Sequence, residues 1–364
     1  MTELGIQIPR PVSISPGRSG QSLLAAKEDH YHGIDYSTIN GWGNKNHIIN
    51  GAFAVWQRGV IGYAGFPKQY GADRWEINRV VAGSTFSRAT YSSNGFAYAG
   101  RVQRNAGNAN LLPIAIHQPM ESEIARKLAG QDVVLSFTAR AEPTWTAASR
   151  YLQISIIVGT GVDQNPLGAG YTNQATIIDA NCMLGTTFKR FFVNATVPAG
   201  TTELDVFFNF TPTGSAGAGD YYEISNVQLE IGTVATQYEN VSIGQTLLDC
   251  KRYFQIYGSQ SLFEVLWPTG FCANAVAAGL YKDLPVEMRA MPTLATNAFA
   301  NYQIVMSNNA GVAVTNIVIN AVVSSTRSVA LDVTSAALFV PGTWCYLRSF
   351  NNLLGLLWLD SEIK

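Results

Sequence analysis

Short runs of β-branched and aromatic residues, cut apart by Gly, Pro, Asn and Thr, recur from residue 131 to the end of this chain. Residues 151–159 (YLQISIIVG), 188–198 (FKRFFVNATVP), 203–212 (ELDVFFNFTP) and 220–232 (DYYEISNVQLEIG) are of this kind. Such side chains suit a pleated, half-buried surface, and the residues between them turn the chain. In 131–142 (QDVVLSFTARAE), Val133, Leu135, Phe137 and Ala139 alternate and share one face. In 220–232, Tyr222, Ile224, Val227, Leu229 and Ile231 nearly alternate, with a slip at Ser225-Asn226 that a β-bulge would absorb. Short strands at this spacing predict an all-β chain built on a jelly-roll β-sandwich.

One segment departs from the pattern. SIGQTLLDCKRYFQIYG (242–258) mixes the helical spacing of Leu247, Leu248, Lys251 and Phe254 with a strand-like tail, which predicts a short helix from Gln245 to about Lys251. Beyond it, NYQIVMSN, VTNIVINAVVSS, RSVALDVTS, WCYLRSF and LLGLLWLDSEI resume strand patterning. The N-terminal stretch is different again. IPRPVSISPGRSG carries three prolines and two glycines, which favour extended chain, and only Ser22 to Asp29 offers a short helix. The expected organisation is an extended arm (1–46) that orders against a partner, a jelly-roll domain (47–243), a connecting helix (244–254) and a smaller β domain (255–364).

Composition bounds the partners. The 364 residues are 47% hydrophobic and 13% charged, with a formal net charge of −1. That is too little cationic charge to grip nucleic-acid phosphates or an anionic membrane, and too little of any sign to keep copies apart, so self-association is expected. No apolar window is long enough for a spanning helix, and MTELGIQIPRPVS lacks the basic start and apolar core of an export signal. The chain is expected to fold where it is made, in the cytoplasm. Cys182, Cys250, Cys272 and Cys345 form no CxxC pair and read as free thiols.

The segment HIINGAFAVWQRG (47–59) joins a turn dipeptide, Asn50-Gly51, to Phe53, Val55 and Trp56, and YGADRWEINRV (70–80) places Asp73 and Arg74 beside Trp75. Asn50, Trp56, Arg58, Asp73, Arg74 and Trp75 thus read as a structural motif in which ion pairs sit against tryptophans.

The order NGAFAVWQRG, ADRW, NVQLEIGTVATQYE, LLDCKRYF resembles a carbohydrate-binding-module-like domain of bacteriophage tail fibre and receptor-binding proteins, and LPVEMRAMPTL with the closing WLDSEIK is similar to the ends of such fibres. The resemblance implies a jelly roll on a homo-oligomeric, commonly trimeric, virion appendage that adsorbs to host surface polysaccharide. The arm would join it to a tail or capsid protein. Sugar binding would use aromatic platforms with polar side chains reading hydroxyls. Candidates are Trp145, a loop tryptophan among small residues and the first choice, then Tyr171, Trp267 and Tyr281. The alternative is a purely structural capsid or head decoration fibre.

Catalysis has little support. The carboxylate pairs Glu121/Glu123, Asp220/Glu223 and Asp360/Glu362 would suit a polysaccharide depolymerase by residue type, yet each also reads as ordinary strand or loop charge. No serine elbow accompanies the four histidines. The chain is therefore read as a non-enzyme without a cofactor. Two metal readings remain: His30 and His32, on one face of an extended arm, meeting around a threefold axis, and a structural calcium of the jelly-roll type held by Asp73 or Glu230.

Overall fold

The computed structural model describes residues 45–59, 69–79, 83–93, 96–258, 260–336 and 338–363. The expected arm, its short helix and the histidine pair His30 and His32 lie outside the described residues, apart from Lys45 and Asn46.

The first half is a two-sheet sandwich. Its strands are β1 (Gln69–Tyr70), β2 (Glu76–Arg79), β3 (Ser84–Ser93), β4 (Phe96–Arg104), β5 (Ile114–Pro119), β6 (Asp132–Ala141), β7 (Tyr151–Gly159), β8 (Ala175–Met183), β9 (Lys189–Thr196), β10 (Glu203–Phe210) and β11 (Tyr221–Ile231), with helix α1 (Ser122–Leu128) between β5 and β6. A six-stranded sheet runs β1-β2-β5-β10-β7-β8 and a five-stranded sheet β3-β4-β11-β6-β9. Sequence alternation sets the inward faces. Val133, Leu135, Phe137 and Ala139 of β6 meet Leu204, Val206, Phe208 and Phe210 of β10 in one core, all fully or almost fully buried. The expected slip in β11 is a bulge between Ser225 and Gln228, with Asn226 at φ 53°.

The second half follows helix α2 (Ile243–Lys251), whose N-cap Ser242 accepts a bond from Gln245 N at 3.2 Å. It contains β12 (Phe254–Tyr257), β13 (Val265–Cys272), β14 (Ala277–Asp283), β15 (Thr293–Thr296), β16 (Tyr302–Met306), β17 (Gly311–Ala313), β18 (Asn316–Ile319), β19 (Ser328–Thr334), β20 (Trp344–Ser349) and β21 (Leu357–Asp360). These form a seven-stranded sheet, β17-β16-β20-β13-β14-β19-β18, and a three-stranded sheet, β12-β21-β15. A second core, including Trp267, Leu280, Leu331, Leu347 and Leu359, lies on one face of the larger sheet. The chain is thus all-β, a jelly-roll sandwich followed by a smaller β assembly. All four cysteines are unpaired, and only Cys182 is not fully buried.

The two halves are knotted by the motif the sequence singled out. Asn50 Nδ2 donates to the carbonyls of Val55 (2.9 Å) and Asp73 (3.0 Å), and Trp75 Nε1 donates to Asn50 O at 3.1 Å. Trp56 Nε1 donates to Phe53 O at 2.7 Å, which closes the turn around residue 53. Arg58 and Arg74, both buried, converge on Glu362, and Arg58 also faces Asp73 at 3.8 Å. The rings of Phe254 and Tyr253, just after α2, lie 3.5 and 3.6 Å beneath the Arg58 and Arg74 guanidinium carbons. Asp73 is therefore spent on arginine and on Gln57, while Glu230 accepts from Gln228 and Thr236. Among the described residues no group of three or more His, Cys, Asp or Glu side chains is placed to hold a metal ion.

Candidate functional site

Stacking on a sugar needs an aromatic face open to solvent, which separates the four candidate rings. Trp145 is only 4% exposed, folded inward at a turn where its backbone N–H donates to Glu142 O, and its ring packs on Phe210 (5.2 Å) and Tyr222 (5.7 Å). Tyr171 packs over Gly159, where an added Cβ would come within 2.4 Å of the tyrosine Cβ. Trp267 is wholly buried in the second core and donates to Val329 O at 3.1 Å. A platform role is thus corrected for these three: each ring is core, held there by packing or by the one polar group it carries. Tyr281 is 46% exposed and keeps an open face.

Tyr281 stands on the outer face of the seven-stranded sheet. Strand alternation puts Phe271 and Thr269 of β13, Trp344 and Tyr346 of β20, and Asp332 of β19 on that same face. Phe271 is 54% exposed and Trp344 51%. They are direct cross-strand partners, and Trp344 leans on Tyr346 with ring centroids 5.9 Å apart. Thr269 pairs with Tyr281, and Asp332 pairs with Val318 on β18. Asp332 Oδ1 is 3.4 Å from Asn320 Nδ2. The face therefore combines broad rings with a carboxylate, a carboxamide and a hydroxyl, on strands fixed by a buried core.

Phe271 and Trp267 show why the rings were hard to assign. Both have odd numbers on one strand, so an unbroken strand would put them on one face. Register shifts between Val265, Trp267 and Gly270 intervene, and Trp267 turns inward while Phe271 turns outward.

Other polar clusters are closed. His117 Nδ1 lies 2.7 Å from Asp205 Oδ2 and its Nε2 3.7 Å from Glu76, with the ring stacked on Phe207 at 4.6 Å. His117 and Asp205 are wholly buried, and burial pushes the Asp205 carboxyl up, with His117 opposing. A substrate has no approach to them. Of the carboxylate pairs, Glu121 is gripped by Arg252 at 2.8 Å, Asp220 by Arg104 at 2.9 Å and Glu223 by both Arg101 and Arg140. A cavity of about 480 Å³ lies between residues 46–54, α1 and α2, lined by Ile48, Ile49, Ile124, Val241 and Ile243 among others. Its lining also carries Lys127, Glu239 and Asp249, and one face of its Tyr98 ring is covered by Arg88, 4.4 Å from the centroid.

No protein-family model and no curated protein matches the chain. Among solved structures it is similar to the enzymatically active domain of tailspike protein 4 of bacteriophage CBA120, at 14% identity and a TM-score of 0.34 over 52% of this chain and 22% of that one. It is also similar to the C-terminal family 22 carbohydrate binding module of Clostridium thermocellum Xyn10B (11% identity, TM-score 0.31, 53% of this chain, 99% of that chain). A third is the CBM22-1 xylan-binding domain from Paenibacillus barcinonensis Xyn10C (10% identity, TM-score 0.30, 53% and 100%). The match spans little more than a fifth of the tailspike chain. At these TM-scores the likeness assigns no ligand and no activity to this chain.

Proposed function

We propose that this chain is a non-enzymatic bacteriophage virion fibre protein that adsorbs to host surface polysaccharide through the outer face of its seven-stranded sheet. The observation that carries the reading is the exposure of Phe271, Trp344 and Tyr281 on one face of a sheet whose other face is core. Rings carried on neighbouring strands of one sheet offer stacking area at little entropic cost, and adjacent acceptors read hydroxyls. The motif order that resembles phage fibre proteins supplies the setting: a virion, a trimer, and an arm within residues 1–46 that joins a tail or capsid protein. Each contact would be weak, and repetition across identical subunits would make attachment firm.

A decoration fibre without a receptor is favoured by a different observation. Val276, Leu338 and Val340 are also exposed in this half of the chain, and neighbouring subunits could cover them. Purified full-length protein, its mass measured in solution, separates the two readings. Binding to intact cells that is lost after periodate oxidation supports glycan adsorption, and a folded oligomer that binds no cell and competes with no virion supports decoration. Release of reducing sugar would instead support a depolymerase.

A further inference from the structure

The outer face has a hole in it that the fold does not require. Gly279 sits in the middle of β14, paired with Phe271 on one side and Asp332 on the other. Its backbone is not in the left-handed region, and a Cβ built there would meet nothing within 4 Å. Other glycines of this half differ: at Gly270, Gly311 and Gly355 a Cβ would collide with a neighbour at less than 3.0 Å. A glycine inside a strand weakens it, and where neither φ nor packing asks for one, the remaining reason is close approach of something from outside.

We infer that Gly279 is the floor of a subsite for one neutral sugar ring, walled by Phe271 and Asp332. The inference rests on the glycan-binding reading above and narrows it to a ligand class. Across the sheet the row reads Val318, Asp332, Gly279, Phe271, Trp344. Removing the side chain at Gly279 leaves Asp332 and Phe271 two strand spacings apart, about 9.5 Å, and open above. A pyranose lying there stacks against the Phe271 ring, continues toward Trp344, and donates hydroxyl protons to the Asp332 carboxylate. Such charge-assisted bonds are strong. Asp332 is the one charged residue of the row, and it is exposed. A uronate or sialate would bring its own carboxylate beside Asp332 with no cation in the row to offset it, so this subsite selects against acidic sugars.

The test uses the full-length protein and its Gly279→Val, Asp332→Asn and Phe271→Ala variants, titrated against immobilised neutral polysaccharides (a glucan, a galactan and a mannan) and a polyuronate, with solution mass and unfolding recorded for each. Valine is a good strand residue and has open space here, so Gly279→Val keeps fold and mass. The expected result is binding of a neutral polysaccharide only, at least tenfold weaker in Gly279→Val and Phe271→Ala and several-fold weaker in Asp332→Asn. If a neutral polysaccharide binds and Gly279→Val binds it equally well, or if the polyuronate binds as tightly as the neutral polymers, the subsite is wrong while glycan binding stands. If Gly279→Val changes the mass of the oligomer, the face belongs to a second copy and the inference falls. If the wild-type chain binds neither class nor any intact cell, the glycan-binding reading and this inference fall together.

Discussion

Arg58 and Glu362, separated by 304 positions, meet as a buried ion pair at 3.3 Å. Arg74 joins the same carboxylate, so two guanidinium groups of the first sandwich share one acid from the segment after β21, with Asp73 as the second acid beside Arg58. Each arginine also rests on a ring from the segment that follows α2. The two hydrophobic cores are thereby coupled through a charge cluster that water does not reach.

Removal of the shared acid should expose that coupling. Glu362→Ala leaves two buried cations with less compensation, and loss of one partner from such a cluster costs about 3–5 kcal/mol. Denaturant unfolding followed by tryptophan fluorescence should show an unfolding free energy lowered by that amount, read as a lower midpoint at unchanged slope. Glu362→Gln, which keeps the shape and part of the hydrogen bonding, should lie between the two. Equal midpoints for wild type and Glu362→Ala would show that the cluster contributes nothing net.

Two tryptophans should respond in opposite ways. Trp145 is core, so Trp145→Ala should cost about 3–5 kcal/mol of stability through the cavity it leaves. At temperatures where the variant is folded, its binding should match wild type. Trp344→Ala removes an exposed ring and should change stability by roughly 0.5 kcal/mol or less. It should weaken polysaccharide binding at least tenfold. Thermal unfolding and a binding titration on both variants check the assignment, and a binding loss confined to Trp145→Ala would reverse it.

Lys282 gives the second core a pH dependence. Its ammonium donates to Leu266 O at 2.7 Å and lies 3.9 Å from the Tyr257 ring centroid, and burial pulls its pKa down to about 8, with Glu264 opposing. The folded value is below the ordinary 10.5, so between about pH 8 and 10.5 the unfolded chain binds more protons. Stability should therefore rise as pH climbs through that window and stay flat in this term below it. The gain should be about 1 kcal/mol or less, because the group is partly solvated. Urea midpoints at pH 7.5, 9 and 10 should show the rise in wild type and lose this part of it in Lys282→Met.

Much of the sandwich was legible in the chain. Residues 151–159 form β7 with the expected bounds, with Leu152, Ile154, Ile156 and Val158 alternating onto the buried face. The run 131–142 forms β6 with its four expected residues buried. The short helix near 245 also formed, starting at Ile243. The structural reading of the motif from Asn50 to Trp75 draws on local turn and tryptophan signals, whereas Glu362, which Arg58 and Arg74 contact, carries no such signal, since nothing local links residue 58 to residue 362. Of the exposed aromatic face of the seven-stranded sheet, only Tyr281 was legible. Whether an aromatic residue on a strand faces core or solvent depends on parity, and the irregular register of β13 inverts parity between Trp267 and Phe271. Trp145 misled for another reason: small polar neighbours suggest an exposed loop, while the turn at Glu142 folds the ring against Phe210 and Tyr222.

The most direct measurement is binding of the purified full-length protein to intact and periodate-oxidised host cells, beside its Phe271→Ala and Trp344→Ala variants, with solution mass recorded for all three. The account predicts binding to intact cells that oxidation abolishes, and at least tenfold weaker binding by both variants at unchanged mass and unfolding midpoint. Variants that bind as well as wild type, or a folded wild-type oligomer that leaves every cell surface bare, would contradict it.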